Sequence, residues 1–441
     1  MKFVLTGLAA VSVLGLAQAQ EPALDEKAYS AVWDSLVDAI PQGNETNIVH
    51  ILEVPQPAVW AEDGAENLVS LQKFAGALPE AKYILDPSRL SRGLHDVYTA
   101  YVLDIDMPIL PDKDREEFKD ASAKYSEFYR QWLAKVDEYY DRWDKEKERL
   151  EEVGRQPSAS TRIKFRDRYG GMFSGINAQL SDAFADVQQY RAVNAQWWNA
   201  VQRLHNVHEG LYTDLGVASI YDYNGGRAEL NAAMSCSVDS DDGWKTIEFN
   251  NSIETKEIRR KNWNASGGWS GGFFSGSGGG SSYSYWASQE GEGVKLRFCN
   301  LRYVPVSPGP WFYSPLLEQI EEGAIQLKPD SAMCGIPIFG PDGKIPRLVK
   351  GMLVADKIEF SARYSDARQE EFKRQSSRRG GFRIGSFRVG GSGGSSSESS
   401  RQTKSDGSYS ISTNYTVPVM LAIVSEPTPQ SELDPVDYCT G

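Results

Sequence analysis

The sequence predicts an α+β protein. It reads as an N-terminal helical domain with a long antiparallel, coiled-coil-like hairpin, followed by a mainly antiparallel β domain built from two related Gly/Ser-rich modules. Three observations carry this reading. Apolar residues recur at steps of three and four through most of residues 111–215. After Gly225-Gly226 the period falls towards two and glycine and serine become abundant. Within that second half, one order of strand, basic cluster, Gly/Ser stretch and strand occurs twice.

At 441 residues the chain exceeds what one core usually organises. The expected division is a signal peptide (1–19), a short-helix region (20–110), the long helical hairpin (111–215) and the β domain (229–441). Lys2, the apolar run Phe3 to Leu16 and Ala17-Gln18-Ala19 have the layout of a secretory signal peptide cleaved after Ala19. The run is shorter than the ~20 residues of a spanning helix. Cys236, Cys299, Cys334 and Cys439 are an even set, suited to an oxidising compartment, and three pairings are open to them. Asn44, Asn250, Asn264 and Asn414 head N-x-S/T triplets and are candidate glycosylation sites. Together these features predict a secreted, extracellular glycoprotein.

Residues 22–110 read as short helices broken by prolines, with candidates at Leu24–Ile40, Ala65–Leu78 and Ser88–Leu103. In the hairpin, Phe118, Ala121, Tyr125, Phe128, Trp132, Val136, Tyr139 and Trp143 form one apolar seam, which Leu150 and Val153 extend. Phe173, Ile176, Leu180, Ala183, Val187, Tyr190, Asn194, Trp197, Val201, Leu204, His208 and Leu211 form a second, in an unbroken register of threes and fours. Two helices of about 60 Å each would result at 1.5 Å per residue. Asn194 reads as a polar residue that sets their register, and the tryptophans as core.

In the β half, Lys245–Phe249 resembles Asp356–Phe360, and Tyr303–Val306 resembles Thr416–Val419. The modules run over about 243–308 and 354–421. Scattered aromatics such as Trp269, Phe273 and Tyr285 are wrong for a solvated linker. The two copies are expected to build one joint β domain, because either alone would expose a strand edge. A short helix is expected from Ser314 to Glu322.

Chemistry is harder to find. Two G-x-S-x-G strings, at Gly268–Gly272 and Gly390–Gly394, lack the helix a nucleophile elbow requires. His205 and His208, with Glu209, have a spacing that could reach one metal, but no third ligand is evident and packing is the expected role. Asp239–Gly243 lacks the spacing of a calcium loop. No catalytic residue, cofactor or metal is assigned. With 60 acidic and 47 basic residues the net charge is −13, which argues against nucleic acid as a partner. From Asp356 to Lys404, however, eleven basic and six acidic residues give +5. Lys373, Arg374, Arg378, Arg379, Arg383 and Arg388 form the candidate basic surface.

The predicted function is therefore a non-enzymatic binding or assembly protein, acting by self-association or on an acidic glycan or lipid surface. Two other readings fit the sequence. One is a membrane-active protein whose Gly/Ser stretches become barrel-forming hairpins, and the other a hydrolase using paired carboxylates.

Overall fold

The computed structural model describes residues 24–41, 47–57, 71–80, 84–85, 93–107, 110–153, 158–213, 221–222, 236, 242–249, 274–276, 292–363, 382–384, 387–389, 397–403, 408–415, 418–429 and 439. The fold is mixed helix and mainly antiparallel sheet, as the α+β reading expects. Its helices are α1 (Leu24–Val37), α2 (Gln72–Ala75), α3 (Gly93–Leu103), α4 (Asp112–Glu152), α5 (Ala159–Tyr169), α6 (Ser174–Gln188), α7 (Ala195–Thr213) and α8 (Ser314–Glu321).

Two five-stranded sheets form the β part. The inner sheet has the order β2 (Ile84–Leu85), β1 (Ile48–Pro57), β15 (Val419–Pro427), β9 (Arg347–Ala355), β7 (Arg302–Pro305). The outer sheet has the order β13 (Ser397–Thr403), β14 (Tyr409–Tyr415), β10 (Lys357–Arg363), β6 (Glu292–Cys299), β4 (Trp244–Phe249). A small sheet joins β12 (Phe387–Val389), β11 (Phe382–Ile384) and β5 (Phe274–Gly276), and a two-stranded pair joins β3 (Tyr221–Asp222) and β8 (Ser307–Pro308).

Side-chain alternation on the inner sheet explains the layering. Met352 and Val354 of β9 and Ile423 of β15 face the helices, within a core that also holds Trp132, Trp197 and Trp311. Leu353 and Ala355 of β9 and Leu421 and Val424 of β15 face the outer sheet, where they meet Phe298, Ile358, Phe360 and Ile411. The inner sheet is thus the middle of three layers. Helix α1 closes the second core with Val32, Trp33 and Leu36, and Trp33 Nε1 donates to the Val49 carbonyl at 3.0 Å. Gly351 is required where Tyr303 lies across β9, since a Cβ there would fall 2.3 Å from the tyrosine ring.

The helical seam packs through aromatic pairs. Phe118 meets Tyr190 and Trp197, Tyr125 meets Phe184, Tyr139 meets Phe173, and Trp143 meets Phe165. These contacts descend along α4 as they ascend the later segments. The chain that returns along α4 is therefore antiparallel to it.

Three sequence expectations are corrected. Residues 22–110 are not helical throughout: β1 and β2 lie within them and join the inner sheet. β1 escaped notice because Val49 and Ile51 bury on one face and His50 and Leu52 on the other. Pro55 and Pro57 further disguised it. The second long helix is broken into α6 and α7. Hydrogen bonds of i to i−3 type, Tyr190 to Val187, Arg191 to Gln188 and Val193 to Tyr190, carry the chain through the break. Such tight turns keep the winding close to helical, so the apolar spacing runs on across the interruption. Asn194 does not set a register. Its side-chain oxygen accepts the backbone N–H groups of Gln196 (3.1 Å) and Trp197 (3.0 Å) and so caps α7.

Loss of that cap sets an expected magnitude. Asn194→Ala should lower stability by about 1 kcal/mol in urea unfolding, while Asn194→Ser should retain most of it.

Candidate functional site

Four places in the described structure combine polar chemistry with defined geometry. The first is a junction at the end of α3. The backbone of Asp106 donates to the Gln326 carbonyl and that of Lys328 to the Asp104 carbonyl, both at 2.8 Å, which draws residues 104–106 alongside 326–328. The buried Asp106 carboxylate accepts the Met107 N–H at 2.8 Å and pairs with the Arg115 guanidinium of α4. Lys328 Nζ donates to the Leu103 carbonyl at 3.1 Å and lies 3.4 Å from Ser122 Oγ. Burial holds its ammonium below the usual lysine range, against the opposing pull of Asp104, Asp330 and Asp106. Ser331 donates to Asp104 at 2.8 Å, and the Cys334–Cys439 disulfide fastens the C-terminal segment nearby, where Cys439 bridges Leu327.

A cleft of about 250 Å³ adjoins this junction, lined by Asp106, Met107, Val193, Asn194 and residues 323–326. It is smaller than the ~300 Å³ at which ligand pockets usually begin. Both oxygens of Asp106 are already engaged. The arrangement fastens α3, α4 and the 325–334 segment together, and its charges act on one another.

The second place is a Ser–His pair that sequence reasoning missed. His50 Nε2 and Ser425 Oγ are 2.6 Å apart, and Arg347 Nε donates to the same hydroxyl at 2.8 Å. Arg347 Nη2 also donates to the Ser425 carbonyl at 3.1 Å. The Ser–His distance would suit a nucleophile and base. Access does not: His50 and Ser425 are both 0% exposed, within the inner sheet. The trio ties β1, β15 and β9 together. No sequence signal could have found it, because the three residues are scattered over 375 positions.

The third place is Asp356, in the bend between β9 and β10. Its carboxylate accepts the Cys236 N–H at 3.2 Å, and its own N–H donates to Cys299. Cys236 and Cys299 form the other disulfide. Thus of the three pairings open in sequence, the structure has 236–299 and 334–439. Burial raises the Asp356 carboxyl above the ordinary aspartate range, offset in part by the Cys236 N–H and Lys357.

The fourth place holds the basic residues. Arg383 of β11 and Arg388 of β12 are direct cross-strand partners. Lys373, Arg374, Arg378 and Arg379 lie outside the described residues, as do residues 1–19, Asn44, Asn250, Asn264, both G-x-S-x-G strings and Asp239–Asp241. Asn414 lies in β14 opposite Glu398. His205 is buried, its ring stacked on Phe184 at 3.6 Å and 3°. His208 and Glu209 fall on α7, with side chains outside the described set. Among the described residues no group of three His, Cys, Asp or Glu could hold a metal ion. Among the same residues, no helix is long and apolar enough to cross a membrane.

Comparison with protein-family models, curated proteins and solved structures finds no match to this chain.

Two outcomes follow from the junctions. Arg115→Ala leaves the buried Asp106 carboxylate without its cation and should lower stability in denaturant unfolding. Adding Asp106→Asn to Arg115→Ala should recover part of that loss. For Asp356 the raised folded-state value has a definite sign. As pH climbs from the unfolded aspartate value of about 4, the unfolded chain ionises first and folding stability falls. That fall is complete once the raised folded-state value is passed. Asp356→Asn should therefore gain stability relative to the native chain between pH 3 and pH 7, measured by thermal unfolding at each pH.

Proposed function

We propose that this chain is a secreted, non-enzymatic binding or assembly protein that recognises an acidic glycan through its glycine-rich β region. The observation that carries the reading is the register of Arg383 against Arg388. Like charges directly opposite one another in an antiparallel pair are destabilising, and an anion bound between them offsets that cost. The surrounding segment 356–404 is basic in a chain of net charge −13, so attraction would be confined to one region.

Export is part of the same reading. Cleavage after Ala19 and glycosylation at the four sequons are its expected marks, and the two disulfides are compatible with an oxidising compartment. The return of the chain along α4 supports a hairpin that works as a stiff arm, its seam packed in a coiled-coil-like manner.

A duplication accounts for the β topology. β4 and β6 are neighbours in the outer sheet, as are β10 and β14, and β6 leads into β7 as β14 leads towards β15. Moving from the first set to the second shifts every strand by two places in its sheet. On this reading the Gly/Ser stretches are equivalent excursions, and the pairing of β5 with β11 joins them.

The proposal is tested by binding of the full secreted chain to a sulfated glycan such as heparin, read by surface plasmon resonance. Arg383→Gln/Arg388→Gln should weaken binding about tenfold, at roughly 0.7 kcal/mol per charge contact. Unchanged affinity, or no binding by the native chain at low salt, would overturn it.

A further inference from the structure

We propose that the tip of the helical arm, helix α5, docks on the surface of an anionic lipid bilayer. This site is separate from the arginine pair and does not depend on it. Among the described residues the exposed large hydrophobic side chains are Val153 (61%) and Ile163 (51%). Both belong to the same end of the arm: Val153 ends the α4 segment, and Ile163 lies in the first turns of α5. Ser158, the cap of α5, is five positions after Val153, so the two lie within about 18 Å.

α5 is held so that its charges face out. Ser158 caps it in a reciprocal box with Thr161. An eleven-residue helix is marginal alone, and Phe165 anchors this one, buried against Tyr139, Trp143 and Tyr169. At 100° per residue, Ile163 lies nearly opposite Phe165, with Lys164 and Arg166 to either side. Lys164, Arg166 and Arg168 are all exposed. With Arg162 and Asp167 the helix carries a net +3, in a chain of −13.

Lys164, Arg166 and Arg168 have little internal pairing. Arg166 approaches Asp167 at 3.9 Å, Arg168 lies over the Tyr169 ring at 6.0 Å, and Glu146 feels the charge of Arg168. Among the described residues Lys164 makes no hydrogen bond or ion pair. By contrast Arg142 and Arg149 on α4 pair with Glu138 and Glu146. An exposed isoleucine flanked by cations offers a bilayer apolar contact at the headgroup boundary and attraction to anionic lipid. A water-soluble acidic partner would satisfy the cations and leave Ile163 and Val153 without a role. A bilayer uses both.

The experiment is co-sedimentation of the full chain with phosphatidylcholine vesicles, with and without 30 mol% phosphatidylserine, at ~0.1 M salt. Binding should require the anionic lipid. Lys164→Ala/Arg166→Ala/Arg168→Ala should reduce partition about 100-fold, at roughly fivefold per basic side chain. Ile163→Ser should reduce it severalfold with the charges intact. All four positions are exposed, so far-ultraviolet circular dichroism should not change. Arg383→Gln/Arg388→Gln should bind vesicles like the native chain, which separates this site from the glycan reading. Absence of binding to anionic vesicles, or binding indifferent to the triple variant, would overturn the proposal. So would a salt-sensitive dimer lost in the triple variant without vesicle binding, since the acidic partner would then be a second copy.

Discussion

The structure depends on one constraint, the burial of the inner sheet on both faces. A sheet covered on one side can alternate apolar and polar residues, but one covered on both must be apolar at nearly every position. β9 and β15 meet that demand: Met352, Leu353, Val354 and Ala355, and Val419 to Val424, are all fully buried. Burial of each such large side chain contributes on the order of 1.5–3 kcal/mol relative to exposure, so these two strands contribute to both cores. Their two faces also decide what lies on either side. The helices, with their aromatic seam, take one face. The outer sheet takes the other.

Several polar groups that enter this interior are paired. Ser425 and His50 are fully buried and bonded to one another, and Arg347 reaches the same hydroxyl. Asp106 is neutralised by Arg115, and Asp356 accepts a backbone N–H beside a disulfide. Each cluster sits where separate segments converge, so each fastens chain that is distant in sequence. The glycine-rich excursions belong to the same scheme, because β5 from the first pairs with β11 from the second. β12 in turn lies against β1, β10 and β14.

Legibility in sequence followed the burial pattern. α4 could be read because one face buries Phe118, Tyr125, Trp132 and Tyr139 while the others carry charge. α8 could be read from Pro315 near its start and from Leu316, Leu317 and Ile320 at helical spacing. β1 could not, since a strand with two buried faces has no period to display. The break between α6 and α7 was hidden because its tight turns wind almost as a helix does. The Ser–His–Arg trio left no local trace, for residues 50, 347 and 425 come together only through strand pairing.

By itself, then, the sequence determined the class of the fold, the long helix α4, the strands β4, β7, β10, β11 and β12, and the even set of cysteines. These rest on local periodicity and composition, which a single segment displays without its neighbours. Tertiary structure decided the rest. It selected the 236–299 and 334–439 disulfides from three possible pairings, by bringing Cys236 to the end of β6 and Cys439 alongside Leu327. It placed β1 and β2 in a sheet otherwise built from the distant second half, and it turned Asn194 from a seam residue into a cap. Those outcomes depend on which segments meet in space, and that is settled by the shared burial of faces no one segment can bury alone.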